Sequence, residues 1–468
     1  MSTYYSNYNH TLKKNNDLCL KIIKIIDRNI NLQKKYEDPF NLLKIFYQEL
    51  IAYSTNIILI KNSPFNYNDK LNFPYLNSKY ILKPKKLSFK LENKRNMTNN
   101  LTFGFGKKKI FMSRNLHLKK EIFFNFISKK KIVLNYHSNV NIPDYKFQLE
   151  SLKNILKKIM VFLDLKNHLF IYNFISFVEY LLGSEKEIDF HPKNSVLIIG
   201  SNTDIQNRIC SAKFLQNKTN KVISINHSTY PFYVYNEPIR NVEYSFCTDY
   251  ISYGSFDFSK KIKSKIFSIP KFHFVNNKEF NDQPRVNKIQ NIKFDKNFNF
   301  LYVPNTLNGN IRYGPFRDLD DYIYYKFQKD LLDIFKNTKI KIHPKGKKFY
   351  FSEKKRVHEN IKFEKIFTKY QVYIFDYFST AFGKAIATNK PIIYFDIGLR
   401  NLEKNILDII KKRVYYCKIN LNKDFKIQFK KFLLDISYEK NNKINLFTKK
   451  FTINKKHKSV SYLLERII

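Results

Sequence analysis

Twice along this chain a short run of consecutive apolar residues ends in small or polar residues, gives way to a helical pattern, and is followed by another apolar run. In the first instance Ser195-Val196-Leu197-Ile198-Ile199 stops at Gly200-Ser201-Asn202, residues 204–216 carry a helical pattern, and Lys221-Val222-Ile223-Ser224-Ile225 follows. Uninterrupted apolar strands need cover on both faces, so the pattern demands a parallel sheet with helices on either side. Residues 250–254 and 266–270 read as further strands of the same sheet. After a polar stretch broken by Pro284 the rhythm restarts. It continues with strands at 298–304, 339–343, 372–376 and 391–396, helices at 319–335 and near Ser379, and a helical texture over the last 70 residues.

The expected fold is therefore α/β, with two Rossmann-like units and an additional helical N-terminal region. The expected divisions are 1–190, mixed and mainly helical; 191–285, the first unit; 297–400, the second; and 401–468, a C-terminal helical segment. Within the first of these, 149–163 reads as an amphipathic helix and 169–182 as a buried or interfacial one. The latter spans 14 residues and includes Asn173, Ser176 and Glu179, whereas a membrane crossing needs about 20 apolar residues. The polar first 16 residues lack the apolar run of a signal peptide, which predicts a cytoplasmic protein. Cys19, Cys210, Cys247 and Cys417 are too scattered for a zinc site or a disulfide framework.

Of 468 residues, 84 are Lys or Arg and 39 are Asp or Glu, a formal charge of +45. Arg occurs only 12 times, while Asn, Ile, Phe and Tyr are abundant and Trp is absent. AT-rich coding over-supplies this residue set, so much of the charge is compositional drift on solvated surface. The field it creates still attracts phosphates. A nucleic-acid-binding protein is the reading of a different class that this charge raises, but no RNP or helix-turn-helix signature accompanies it.

In doubly wound sheets, ligands sit beyond the carboxyl ends of the strands, and there the chain concentrates its chemistry. His343-Pro344-Lys345-Gly346-Lys347-Lys348 leaves a strand end, with Pro barring a helix and the imidazole and ammonium groups converging on one edge. Asp376-Tyr377-Phe378-Ser379-Thr380 follows another strand and places hydroxyls where a helix starts, which serves as a cap, a phosphate cradle, or both. The loop 305–313 contains Asn305 and Arg312, the latter a fork for a phosphate. In the first unit, His227 follows a strand end as a candidate general base or acceptor-binding group, with Glu237, Glu243 and Asp249 as alternative bases. Gly104-Phe105-Gly106 followed by three Lys reads as a basic loop or an anion-binding turn.

The combined pattern of Gly200-Ser201-Asn202, residues 222–229, residues 249–254, Lys341-Ile342-His343-Pro344, Asp376 to Thr380 and residues 389–395 resembles bacterial surface-carbohydrate biosynthesis proteins of the GT-B glycosyltransferase type. It also resembles the related CDP-glycerol glycerophosphotransferases. The resemblance covers about residues 194–400. It implies two Rossmann-like domains facing a cleft, with a nucleotide-activated donor on the C-terminal one and a glycan or lipid-linked acceptor on the N-terminal one. No metal and no cofactor is implied. The resemblance assigns His343 and the Ser379-Thr380 helix start to the donor phosphates, with Asn305, Arg312, Lys345 and Asp376 beside them, and His227 to the acceptor side. One departure concerns Lys384, which stands where such transferases often carry an acidic residue that holds the donor ribose or sugar. A nucleotide-sugar 2-epimerase of the same two-lobed form is the alternative enzyme. The charge and the 169–182 segment together predict peripheral association with the anionic inner face of the plasma membrane.

Overall fold

A computed structural model describes residues 20–29, 41–51, 109–112, 133–135, 145–164, 193–202, 204–226, 237–253, 270–275, 298–305, 321–342, 369–386, 390–398, 404–436 and 459–468, with parts of 116–129, 171–179 and 357–366 and a few single residues. Two six-stranded sheets, parallel throughout, organise these residues. The first contains β1 (Lys109–Met112), β2 (Val133–Asn135), β3 (Ser195–Ile199), β4 (Lys221–Ile225), β5 (Asp249–Tyr253) and β6 (Lys271–Val275) in the order β2-β1-β3-β4-β5-β6. The second contains β7 (Phe300–Val303), β8 (Thr338–Lys341), β9 (Val357–His358), β10 (Val372–Phe375), β11 (Ile392–Asp396) and β12 (Tyr415–Lys418) in the order β12-β11-β10-β7-β8-β9. Counted within its own unit, the second order is the Rossmann arrangement, which reverses between its first and fourth strands. The α/β class and the two Rossmann-like units expected from the sequence are both present.

Burial explains why these runs are strands. Every residue of β3, β7 and β10 is buried, as a strand covered on both faces requires. Helix α1 (Tyr145–Phe162) packs in the N-terminal layer. Helices α2 (Ile205–Leu215) and α3 (Glu237–Ser245) belong to the first unit, and α4 (Asp321–Ile334), α5 (Thr380–Ile386), α6 (Lys404–Lys411) and α7 (Phe425–Asp435) to the second. Ile323, Phe327 and Leu331 line one stripe of α4 at helical spacing and meet Phe395, Phe425 and Phe429 in a largely aromatic core. Another buried cluster is continuous across the two units, joining Leu197, Phe214 and Tyr250 to Leu301, Tyr373 and Phe382.

The boundaries differ from the expected ones in three places. Strands β1 and β2 come from the region read as mainly helical, so the first sheet recruits chain well upstream of residue 191. Strand β6 lies just after the run 266–270 read as a strand, four residues of which fall outside the described set. Strand β12 interrupts the helical texture after residue 401; it is an edge strand whose last three residues are only partly buried or exposed, which erases the apolar signature of a central strand.

The N-terminal helices form a layer on the first unit. Ile22, Ile26, Phe46, Leu50, Leu152 and Leu156 share a core with Ile205, Ile209 and Val242 from α2 and α3. The buried Arg208 Nη2 binds Glu49 Oε1 at 2.5 Å across that seam. At the other end of the chain, α8 (Val460–Ile467) returns from the second unit to cover a face of the first sheet. Its Leu464 and Ile467 pack with Ile110, Met112, Val196 and Ile198, and Glu465 Oε1 accepts from Asn125 Nδ2 at 3.1 Å and pairs with Lys129 at 2.5 Å. Among the described residues no helix is long and apolar enough to cross a membrane.

Candidate functional site

Both sheets reverse strand order, and in such folds the connections leaving the two strands at a reversal run to opposite faces of the sheet, where ligands bind. In the second sheet the reversal lies between β7 and β10, which pair in register from Phe300 with Val372 to Val303 with Phe375. The next residues are Pro304-Asn305 on one side and Asp376-Tyr377 on the other. A short polar step beyond two fully apolar strands thus brings Asn305 and Asp376 together although they are 71 positions apart.

Asp376 is the hub. It is 1% exposed and its carboxylate accepts from three internal donors. These are the Tyr302 hydroxyl, the Tyr324 hydroxyl at 2.7 Å and the Asn305 backbone N–H at 3.2 Å. Burial raises its pKa to about 6, against the lowering effect of those donors. The same burial and the neighbouring carboxylate push both tyrosine hydroxyls well above their ordinary range, so they remain donors. Tyr324 Oη also lies 3.3 Å from the Asn305 carbonyl, so the peptide at residue 305 is gripped on both sides. Asn305 is 8% exposed, and among the described residues its Oδ1 has no hydrogen-bond partner. A buried acceptor left unmet costs about 1–3 kcal/mol, a cost that a ligand donor would remove.

Ser379 is buried at the start of α5, where its Oγ accepts from the Phe382 N–H at 3.1 Å and its carbonyl from Gly383 N–H at 3.0 Å. This is a helix cap. Thr380 opens the helix. Arg312, His343 and Lys345 lie outside the described residues; β8 ends at Lys341, and Ile342 is the last described residue before His343.

At the reversal of the first sheet, between β1 and β3, the loop after Ile199 is tied down by Glu243 from α3. Glu243 is fully buried. Its Oε2 accepts from Ser201 Oγ at 2.9 Å and Asn202 N–H at 3.0 Å, and its Oε1 from the Tyr250 hydroxyl at 3.1 Å. Asn202 in turn accepts through its carbonyl from Arg208 Nη1 at 3.0 Å. Glu243, one of the alternative bases, therefore fastens a loop and has no open edge for substrate. Asp249 is at the amino end of β5, opposite the crevice edge, where it contacts His273 Nε2 at 2.8 Å and accepts from Thr248 Oγ1 at 2.8 Å. Its position removes it as a base for chemistry at the carboxyl ends. Glu237 begins α3, and its side chain is outside the described set, as is His227, which directly follows the buried strand-end residue Asn226.

Sequence reasoning missed Tyr302, Tyr324 and Glu243's tethering role. The two tyrosines look like ordinary core aromatics. The usable signal was Asp376 itself, an acid in the apolar run Ile374-Phe375-Asp376-Tyr377-Phe378, which must find donors if it is buried.

Two doubly wound parallel sheets with polar clusters at their strand-order reversals define a two-unit α/β protein of the kind that binds ligands at strand carboxyl ends. The chain belongs to the LIC12162 family of transferases, whose profile matches residues 161–412, more than half of its length. Among solved structures it is similar to the glycotransferase of kitacinnamycin, at 8% identity and a TM-score of 0.38, over 77% of this chain and 99% of that one. It is similar to the same degree to a sucrose-phosphate synthase from Thermosynechococcus elongatus, at 8% identity and a TM-score of 0.38, over 77% of this chain and 98% of the other. No curated protein sequence matches it.

Proposed function

We propose that this transferase is a glycosyltransferase of the GT-B type, moving a sugar or a polyol phosphate from a nucleotide-activated donor to a surface-polysaccharide acceptor. In this reading the two units face a cleft, and the second binds the donor at the β7–β10 reversal. Asn305 offers its carboxamide to a donor hydroxyl or N–H, and Asp376 holds Asn305 in place. Arg312, His343 and Lys345 meet the diphosphate, with Ser379 and Thr380 at the helix start beside them. In sugar transfer the bond from the sugar to the diphosphate breaks, and in polyol-phosphate transfer the bridging P–O bond within the diphosphate breaks and a nucleoside monophosphate leaves; in both, negative charge grows on the leaving phosphate oxygen, and these cations and N–H groups stabilise it without a metal. His227, at the edge of the first unit, takes the proton of the attacking acceptor hydroxyl. The acceptor is presented at an anionic membrane surface on the cytoplasmic side.

The observation that carries the donor assignment is Asn305, buried and held through its backbone at the strand-order reversal, with an Oδ1 that has no partner among the described residues. Thermal shift against UDP-, GDP-, CMP- and CDP-linked compounds tests it, because a bound donor stabilises the native state by mass action. One class should raise the Tm of the wild-type protein, and Asn305→Ala should lose most of that rise while melting normally in the absence of ligand. Equal shifts in wild type and variant would remove Asn305 from the donor site.

A further inference from the structure

The N-terminal layer presents a surface that the transferase reading leaves unexplained. Helix 20–29 and α1 run side by side in opposite senses. Lys21 Nζ sits 5.9 Å from the centre of the Phe162 ring at one end, and Lys158 Nζ donates to Asn29 Oδ1 at 2.9 Å towards the other. Their inward stripes, Ile22, Ile23 and Ile26 against Leu152, Ile155 and Ile159, share a core. Their outward stripes differ from an ordinary solvated face. Val161 is 82% exposed and Leu20 45%, and Tyr172 on the next helical stretch is 67% exposed. Around them Lys21, Lys24, Arg28, Lys157 and Lys158 are exposed. Exposed acids on the same stretches are Asp17, Glu150, Asp164 and Glu179, of which Glu150 is paired with Lys153 at 2.5 Å. Asp27, on the same helix as the first three cations, turns inward to accept from the Tyr47 hydroxyl at 2.9 Å.

From this juxtaposition of bare aliphatic tips with five cations on two adjacent helices, we infer that the paired outward faces of helix 20–29 and α1 dock on an anionic phospholipid bilayer. The charge fits the headgroup phosphates, and each cation near such a surface contributes on the order of 1 kcal/mol. The aliphatic side chains decide between lipid and nucleic acid. Val161 and Leu20 find apolar surroundings at the headgroup–acyl boundary, whereas a phosphate backbone offers them none. Tyr172 suits the same boundary, with an apolar ring and a polar tip. The inference deepens the proposal that the acceptor is presented at a membrane by naming the surface that reaches it. Its test involves no transfer reaction, so its failure leaves the donor assignment untouched.

Flotation of the full chain with phosphatidylcholine vesicles, with and without phosphatidylglycerol, reads the interaction directly. The protein should float with the anionic vesicles and stay behind with the neutral ones. Lys157→Glu combined with Lys158→Glu, and separately Val161→Asp, should each reduce the bound fraction about tenfold or more. Leu434→Asp, at a 75% exposed position on α7 of the second unit, should float like the wild type. The inference is overturned if Leu434→Asp loses as much binding as Val161→Asp, or if neither N-terminal variant changes it. It is equally overturned if the lysine reversals abolish binding to an oligonucleotide and to vesicles alike while Val161→Asp affects neither, which would give the patch to nucleic acid.

Discussion

Asp376 shows how one buried charge can set the geometry of a crevice it does not line. Its three donors come from β7, from the second residue beyond that strand and from α4, so the carboxylate ties together elements that meet only in the folded chain. The arrangement has a cost that varies with pH. The unfolded carboxyl ionises near 3.8, whereas the folded one ionises at about 6. Between those values the native state holds a proton that the unfolded chain has released, so stability falls as pH rises through this window and levels off above it. The expected loss is roughly 3 kcal/mol. In denaturant titrations from pH 4 to 7, Asp376→Asn should remove that downward trend relative to the wild type. A wild-type stability that instead rose across the window by the same comparison would mean the three donors outweigh burial.

At the scale of elements, the seam between the N-terminal layer and α2 rests on a fully desolvated ion pair. Burial raises the Glu49 pKa and Arg208 acts against that rise. Such pairs contribute little net stability when intact, yet removing one partner strands the other charge and costs about 3–5 kcal/mol. Arg208→Met should therefore lower stability by that amount in urea titrations, and Glu49→Gln with Arg208→Met should recover part of it. The strands themselves were legible wherever both faces are covered, as in β3, β10 and β11, because an unbroken apolar run bounded by polar turns belongs between two covering layers. Strand β1 was not legible, since Lys109-Ile110-Phe111-Met112 is short and follows a run of lysines. Nor was β12, where Tyr415-Tyr416-Cys417-Lys418 sits at a half-covered edge. The Asp376 cluster was half legible. An acid at the end of an apolar strand could be read as a site residue, but its attachment to Asn305 and two core tyrosines depends on strand order, which no local window contains.

Across the whole molecule, the two units are joined by more than the chain that links them in sequence. A buried cluster runs through both, and α8 comes back from the second to seal a face of the first. Leu464 is fully buried in that seal. Leu464→Ala should cost about 2–5 kcal/mol, and calorimetry should show the loss in the transition that melts the first sheet. An unchanged transition would show that this sheet is stable without its cover. The late position of α8 also has a consequence for biosynthesis. Ribosomes deliver Ile110, Met112, Val196 and Ile198 hundreds of residues before the helix that shields them. A nascent first lobe must therefore emerge with one oily side bare and keep it from sticking to other chains until α8 has been synthesised.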